Sequence, residues 1–280
     1  LIVKEKITMF CAAPTVLIGL TSAPVEQRAK TSWQINVFTA GAPPAAATIQ
    51  IVEGELGWSL THVFGLTETS PFIAICEPRP EHRDLSAAES AALKACQGVE
   101  LVSSGELRVV DEGGHEVAHD GATLGEITVR GNVVMKGYYN DAEATAAAIK
   151  NGWFHSGDAA VVHPNGYVEI RDRFKDVIIS GGENVSSIEV EGCLLTHTAV
   201  QEVAVVGMPH EKWGESPHAF VVMQAGLEVS EDELKSHVRE NLAHFKTPQW
   251  VSFVEELPKT ATGKVQKFML RDGQSGISRQ

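Results

Sequence analysis

The sequence predicts a protein of mixed α/β and α+β class, in which a β-rich portion is followed by a small α+β domain. Two observations carry this prediction. Short apolar runs separated by Gly and Asn-Gly turns fill the middle of the chain, which is typical of strands. Beyond about residue 174, strand-like runs alternate with amphipathic helical segments, which indicates a separate unit. We therefore expect a first portion at residues 1–173, a second at 174–272 and a tail at 273–280.

The first portion begins with helices and strands that local signals predict. A Ser or Asn followed three residues later by Glu is a helix-start signal, because each side chain can bond to the other residue's backbone N–H. This signal occurs at Ser86 with Glu89 and at Asn140 with Glu143. In chain order, the expected elements are a mainly apolar stretch at 4–18, a helix after Ser86, strands at 107–110 and 127–129, and a helix after Asn140.

A β-hairpin is expected over residues 161–170. The apolar runs there are separated by a turn that contains Asn165-Gly166, and Asn-Gly between apolar runs is a strong hairpin signal. Asp158 and Arg173 flank this hairpin, so its ends can bring a carboxylate and a guanidinium to one polyol or phosphate-bearing ligand. A surface ion pair is the alternative.

The second portion opens with a short strand and a glycine turn. Residues 176–179 are strand-like, and residues 180–184 contain Gly181 and Gly182, which tolerate unusual backbone angles. Ser186 with Glu189 then predicts a capping box at the start of a helix. The remaining expected elements are strands at 202–207 and 219–223 and a helix that begins after Ser230, with Glu233 as its capping partner.

Four stretches of the chain together resemble a known family. They lie, in the family's order, at residues 62–69, 125–138, 152–191 and 258–264. Their motifs resemble those of the adenylate-forming superfamily, which includes acyl-CoA synthetases, peptide adenylation domains and beetle luciferases, and most closely the acyl-CoA synthetase branch. The resemblance implies the second half of the family's large N-terminal domain, a β-rich subdomain, followed by its small α+β C-terminal domain.

The resemblance implies that ATP and Mg²⁺ are bound by particular residues. Asp158 and Arg173 would hold the ribose, Thr67 would contact the α-phosphate and Glu68 would be the Mg²⁺ carboxylate, which suits the cation's preference for oxygen ligands. Phe64 stands where the family commonly has Tyr and keeps the ring that stacks on adenine. The implied nucleotide-binding residues are Gly41, Ala42, Pro43, Phe64, Gly65, Asp158 and Arg173.

The resemblance also assigns residues of the second portion. Lys264 would contact the substrate carboxylate and the α-phosphate, where a cation offsets the negative charge that builds up. Lys175 falls at the family's hinge position, about which the small domain rotates between two reaction steps. Gly181, Gly182 and Glu183 would bind coenzyme A.

The implied activity is that of an acid-thiol ligase. Such an enzyme converts a small-molecule carboxylic or fatty acid and ATP into acyl-AMP, then transfers the acyl group to coenzyme A. The alternatives are a non-catalytic remnant that binds nucleotide or a protein partner, and an adenylation module that loads a carrier protein. Full-length relatives begin with a Ser/Thr/Gly-rich phosphate loop, which we do not find in the sequence, so we expect the C-terminal half of such an enzyme.

The composition argues against some classes of binding partner. The net charge of −13 argues against nucleic acid, and no apolar run approaches the length of a membrane span, so we expect a cytoplasmic protein. The sequence leaves open whether it forms a homo-oligomer. The four cysteines and eleven histidines are scattered without metal-ligand spacing, which makes a zinc site an unfavoured interpretation.

Overall fold

The computed structural model describes residues 1–28, 31–260 and 263–273. The chain separates into two units, Leu1–Ile170 and Arg171–Gln280. Both combine sheets with helices, which confirms the predicted mixed α/β and α+β class. The predicted boundary after Arg173 stays a prediction, and residues 274–280 of the predicted tail lie outside the described part of the chain.

The first sheet of the first unit has three parallel strands followed by two antiparallel ones. Its strand order is the chain order. Helices pack against it around a core that includes Leu17, Val37, Ile49 and Leu60, all at most 1% exposed. The strands are β1 (Met9–Ala12), β2 (Asn36–Thr39), β3 (Ser59–Gly65), β4 (Phe72–Cys76) and β5 (Val99–Glu100), and the helices are α1 (Pro14–Thr21), α2 (Ala46–Gly54) and α3 (Ala87–Ala95).

The second sheet contains the predicted hairpin. Its strands are β6 (Glu106–Val110), β7 (Gly125–Arg130), β8 (Ile149–Lys150), β9 (Trp153–Val162) and β10 (Val168–Arg173), with helix α4 (Ala142–Ala148) before β8. The order is β10-β9-β7-β6, with β8 paired to β9. His163 and Tyr167 close the turn between β9 and β10, where the His163 N–H donates to the Tyr167 carbonyl at 2.8 Å. The hairpin prediction is therefore confirmed.

The second unit contains one mixed sheet and three helices within its described residues. The strands are β11 (Ile178–Ser180), β12 (Glu183–Val185), β13 (Val200–His210), β14 (Gly214–Met223) and β15 (Trp250–Phe253), and the helices are α5 (Ser187–Leu194), α6 (Glu231–Asn241) and α7 (Lys267–Arg271). Strand β14 pairs antiparallel with β11 and β13 and parallel with β15. Leu234 and Val238, one helical turn apart on α6, are fully buried in its core.

The helix-start predictions are confirmed at three serines and wrong at one position. Ser86, Ser186 and Ser230 each accept a bond from the backbone N–H three residues later. The helix expected after Asn140 is instead capped by Asp141, whose carboxylate accepts from the Ala144 N–H. Asn140 has a φ of +53°, so it turns the chain into the helix and leaves the capping position to its neighbour.

Two further details differ from the sequence predictions. Glu189 does not complete a capping box with Ser186, because its carboxylate binds the Lys246 ammonium at 2.6 and 2.7 Å. The turn expected at 180–184 is shorter, since Ser180 pairs with Glu183 and the turn itself is Gly181-Gly182. Both glycines have positive φ, +62° and +88°, as a tight hairpin turn requires.

No helix in the described ranges combines the length and the apolar character needed to cross a bilayer.

Candidate functional site

The carboxyl edge of the first sheet brings two of the predicted nucleotide segments side by side. Strands β2 and β3 are parallel neighbours, with Thr39 opposite His62. Gly41, Ala42 and Pro43 follow the end of β2, and Phe64 and Gly65 end β3. The carboxyl ends of parallel strands are where open α/β sheets bind ligands. Gly41 and Ala42 are exposed, and Pro43, Phe64 and Gly65 are half-buried, so this edge presents backbone and an aromatic ring to solvent.

Gly65 is required by the close approach of the next segment. A Cβ at this position would lie 1.7 Å from the Pro71 carbonyl oxygen, so a side chain would force the two backbone segments apart. Thr69 fastens the intervening turn, because its hydroxyl accepts from the Leu66 N–H at 2.9 Å and donates to the Pro71 carbonyl at 2.9 Å. Thr69 is fully buried and is a structural contributor to the site that the sequence analysis missed.

Glu68 is held at two points within this turn. The Tyr138 hydroxyl donates to Glu68 Oε1 at 2.9 Å, and the Glu68 carbonyl accepts from the Met135 N–H at 2.8 Å. Glu68 is half-buried and neighbouring Thr67 is exposed. A carboxylate held through one oxygen and open to solvent fits a ligand of Mg²⁺, which usually keeps several waters and takes one or two protein carboxylates. The residue 125–138 stretch was recognised from sequence, but its contact with Glu68 was not.

Buried His62 connects this strand to the end of α3. Its Nδ1 bonds to the carbonyl oxygens of Cys96 at 2.8 Å and Ala95 at 3.2 Å, so Nδ1 carries the proton. Burial lowers the pKa of His62 to about 4, with the bonds to the two carbonyls opposing that shift. The ring is therefore neutral at pH 7 and serves as a fixed donor that ties β3 to the end of α3.

Asp158 lies in the middle of β9 and is only 4% exposed. Its backbone N–H donates to the Ser156 hydroxyl at 3.0 Å. Glu126 on β7 binds two residues that precede Asp158. Its carboxylate accepts from the Gly157 N–H at 3.0 Å and bonds to His155 Nδ1 at 2.6 Å. Glu126 therefore shapes the backbone next to Asp158, and only the pairing of β7 with β9 reveals that role.

Arg173 and Lys175 lie where β10 ends and the chain turns. The Arg173 carbonyl accepts from the N–H groups of Asp176 and Val177 at 2.8 and 2.9 Å, so this turn is tightly closed. Arg173 is half-buried and Lys175 is exposed. Asp172, buried at 2% exposure, accepts from the backbone N–H groups of Arg173 and Ser187 and thereby fixes the turn to the start of α5.

The two glycines of the β11–β12 turn have different surroundings. A Cβ at Gly181 would lie 2.9 Å from the ring of Trp213, and the Gly181 N–H donates to the Trp213 carbonyl at 2.8 Å. A Cβ at Gly182 would meet nothing within 4 Å. Gly182 and Glu183 are exposed, so the turn offers an uncovered backbone on one side and an indole ring on the other.

Lys264 lies in a closed loop that precedes α7. The Lys264 N–H donates to the Thr260 hydroxyl at 3.1 Å, its carbonyl accepts from the Thr260 N–H at 2.8 Å, and the Gln266 N–H donates to the Pro258 carbonyl at 2.8 Å. The Lys264 side chain is exposed. Ala261 and Thr262, which belong to the predicted motif, lie outside the described residues.

Ion pairs anchor both ends of that loop. Lys259 binds Glu202 at 2.6 Å, and Lys267 binds Glu191 at 2.7 Å and also donates to the Ser187 hydroxyl. Burial raises the pKa of Glu191, and the Lys267 ammonium opposes that shift. Neither anchor follows from the sequence, because the partners are far apart in the chain.

Comparison with known proteins identifies both portions of the chain. Residues 1–139 match the family described as AMP-binding enzyme, and residues 189–264 match AMP-binding enzyme C-terminal domain. The chain is 48% identical over 272 residues to 4-hydroxybutyrate–CoA ligase 2 of Metallosphaera sedula, covering 97% of this chain and 49% of that protein. It is 47% identical to 2-methylpropanoate–CoA ligase CCL4 of Humulus lupulus, covering 99% of this chain and 50% of that protein.

A solved structure agrees with these sequence matches. The anthranilate CoA ligase AuaEII in complex with anthranoyl-AMP superposes with a TM-score of 0.85 at 29% identity, covering 97% of this chain and 51% of that one. The chain thus spans about half the length of the relatives that it matches.

Proposed function

The chain belongs to the family of AMP-binding enzymes, and from that premise we propose that it is part of an acyl-CoA synthetase. Such an enzyme joins a carboxylic acid to coenzyme A through an acyl-AMP intermediate, with ATP as the source of the adenylyl group. The relatives named as CoA ligases support this reaction class.

One observation carries the proposal. The Gly41–Pro43 segment and the Phe64–Glu68 segment follow the carboxyl ends of two neighbouring parallel strands of the first sheet, and the Tyr138 hydroxyl orients the Glu68 carboxylate there. A stacking ring, approachable backbone and a fixed carboxylate are the groups that an adenine nucleotide and its metal ion require.

In the first half-reaction, a carboxylate oxygen of the acid attacks the α-phosphorus of ATP, and the bond to the leaving pyrophosphate breaks. Two anions approach each other, so we assign the Lys264 ammonium to the negative charge that develops between them. Thr67 would contact the α-phosphate. Glu68 would hold Mg²⁺, which supplies charge neutralisation of the phosphate oxygens. Asp158 and Arg173 would position the ribose.

In the second half-reaction, the sulfur of coenzyme A attacks the acyl carbonyl carbon, AMP leaves and the thiol proton passes to solvent. Gly182 offers uncovered backbone, and Gly181 stays next to Trp213, so we assign this turn, with Glu183, to the thiol substrate. Lys175, exposed in the turn after β10, keeps its predicted role as hinge.

The test separates the two half-reactions. We expect Lys264→Ala to lower ATP–pyrophosphate exchange by about 100-fold or more, since removal of one charge-stabilising donor typically costs that much. Thioester formation from supplied acyl-AMP should change much less. The acids tried are 4-hydroxybutyrate, 2-methylpropanoate and trans-cinnamate, which the names of relatives suggest. Lys4→Ala, at an exposed lysine in the first unit, is the control.

An equal loss of rate in both half-reactions of Lys264→Ala would contradict the assignment of Lys264 to the adenylation step. If no acid supports ATP–pyrophosphate exchange but isothermal titration detects ATP binding, the protein would be a non-catalytic nucleotide-binding protein. Acyl transfer to a carrier protein but not to coenzyme A would favour a loading module. A cytoplasmic location stays a prediction that fractionation can check, and sedimentation can decide the open question of a homo-oligomer.

A further inference from the structure

Three potential metal ligands that are far apart in the sequence meet in the first unit. One ligand atom from each of Cys96, His163 and Glu169 lies within 4.8 Å of the other two. His163 Nε2 is 2.7 Å from Glu169 Oε2. Cys96 is 7% exposed, and the other two side chains are about one-third exposed, at 30% and 29%. The cluster therefore combines one buried thiol with two side chains that are partly accessible to solvent.

Backbone bonds fix all three positions. Cys96 caps the end of α3, where its N–H donates to the Leu93 carbonyl, and the next residue, Gln97, donates its N–H to the Val168 carbonyl at 2.9 Å. Val168 in turn donates to the Gly98 carbonyl at 2.8 Å. His163 lies in the β9–β10 turn and Glu169 on β10, so the end of α3 is joined to that hairpin next to the three ligands.

The donor set determines which ion fits. A thiolate, an imidazole and a carboxylate are the three ligand types of protein zinc sites, and a water can complete the tetrahedron. Metal–ligand bonds of about 2.0 to 2.3 Å at a tetrahedral angle place ligand atoms roughly 3.3 to 3.7 Å apart. The observed separations, from 2.7 Å for His163–Glu169 to at most 4.8 Å within the group, span that range. We propose that Cys96, His163 and Glu169 bind a zinc ion.

The neighbouring groups explain why these three residues would be the ligands. Cys76 lies in the same buried cluster as Cys96, but its thiol donates to the Leu93 carbonyl at 3.1 Å, whereas the Cys96 thiol donates to the Ala92 carbonyl at the longer distance of 3.7 Å. The Cys96 thiol is therefore the less tightly bonded of the two. Gly121 lies against the other ring nitrogen of His163, because a Cβ there would be 3.0 Å from Nδ1. The Nδ1 side of the ring therefore faces Gly121, and Nε2 faces Glu169 at 2.7 Å.

A second histidine–carboxylate pair provides a comparison. His155 and Glu126 are 2.6 Å apart on the same sheet, yet no cysteine joins them. Within the ranges that the structure describes, the Cys96 cluster is the only group of three such residues close enough to share an ion. The sulfur ligand is thus what separates the proposed site from an ordinary ion pair.

The expected role of the ion is structural. It would join the end of α3, which packs on the first sheet, to the hairpin of the second sheet. A ligand that binds only the folded state raises stability with its free concentration. The thermal midpoint of the purified protein should therefore rise as zinc is added after chelator treatment, independently of any catalytic activity.

The test measures zinc binding directly. Chelator-treated protein is titrated with zinc against a chromophoric chelator, and with Co²⁺, whose bond to a thiolate gives a near-ultraviolet charge-transfer band. We expect one equivalent of zinc, the charge-transfer band, and at least tenfold weaker binding in Cys96→Ser and Glu169→Gln. Cys11→Ser is the matched control, because Cys11 is an exposed cysteine outside the cluster, and it should bind zinc as the unaltered protein does.

Three outcomes would overturn the proposal. They are no zinc retained against the chelator, equal affinity in Cys96→Ser and Cys11→Ser, or an X-ray absorption spectrum of the zinc-loaded protein without a sulfur ligand. If Cys96→Ser unfolds, Glu169→Gln decides, since it keeps the shape of the side chain and removes only its charge.

Discussion

Tyr138 is the side chain that fixes Glu68 at the edge of the first sheet. Its hydroxyl donates to Glu68 Oε1 at 2.9 Å, whereas adjacent Tyr139 is 92% exposed. A hydrogen bond to a charged group contributes about 1.5 to 3 kcal/mol, and less where solvent competes. Loss of this bond frees the carboxylate without removing it, so its effect should be on metal-dependent binding.

We therefore expect Tyr138→Phe to raise the Mg²⁺ concentration needed for half-maximal ATP–pyrophosphate exchange by about threefold to tenfold, equivalent to roughly 1 kcal/mol. Tyr139→Phe removes a hydroxyl from the neighbouring exposed ring and is the control. An unchanged Mg²⁺ requirement in Tyr138→Phe would contradict the orienting role of this hydroxyl.

His62 makes the stability of the protein depend on pH. Its pKa is lowered to about 4 by burial, against 6.5 in the unfolded chain. As the pH falls through 6.5, His62 is protonated in the unfolded state but stays neutral in the folded state. The free energy of unfolding therefore decreases until the pH reaches about 4. The loss attributable to this residue is about 3 kcal/mol in total.

Replacement of His62 by Gln, which can still donate to the Cys96 carbonyl, should abolish that contribution. We expect the unfolding free energy of the unaltered protein to fall more between pH 7.5 and pH 5 than that of His62→Gln. Urea denaturation at each pH measures both values. His115→Gln, at a side chain that is 83% exposed, should show no such shift. Parallel pH profiles for His62→Gln and the unaltered protein would rule out the buried histidine as the cause.

At the scale of elements, helix α7 is attached to the second unit through a mostly buried ion pair, whose side chains are 16% and 17% exposed. Lys267 on α7 binds Glu191 on α5 at 2.7 Å, and Glu191 also accepts from the Val205 N–H at 2.7 Å. Because α7 follows the Lys264 loop directly, this pair fixes one end of the loop. Removal of one partner from a buried pair leaves an uncompensated charge, which costs about 3 to 5 kcal/mol.

We expect Lys267→Met to destabilise the second unit by about 2 to 4 kcal/mol and to increase hydrogen exchange of α7 and the loop before it. The added change Glu191→Gln should recover part of the loss, because it removes the unpaired charge. Lys235→Met, which breaks a pair with Glu231 on a single helix, should cost at most about 0.5 kcal/mol. A cost for Lys267→Met no greater than that of Lys235→Met would refute the anchor.

Local sequence signals predicted elements well where the interactions are themselves local. The Ser caps of α3, α5 and α6 and the Asn-Gly turn of the hairpin depend on residues within a few positions of each other. The parallel strands β2 and β3 and helix α2 carried no comparable signal and were not predicted. Their residues form a sheet because distant strands pair with them, and propensity alone is a weak guide to such pairing.

At the scale of the whole molecule, the resemblance to adenylate-forming enzymes and the comparison with known proteins agree on the family. The motifs that carry the resemblance consist of residues that lie close together in the chain, and the two family matches cover residues 1–139 and 189–264. The individual assignments of Lys264, Asp158 and Gly182 stay predictions, because each depends on a ligand whose contacts only a measurement of binding or rate can test.

The amino-acid sequence by itself determined the class of fold, the family and the positions of the candidate catalytic residues, since these depend on short motifs and local periodicity. Only the tertiary structure brought Tyr138 to Glu68, Lys267 to Glu191, and Cys96 to His163 and Glu169. The physical reason is that these contacts join residues from 67 to 76 positions apart, whose proximity is set by strand pairing and core packing. A scattered set of cysteines and histidines therefore gave no metal-ligand spacing, although the fold places three ligands together.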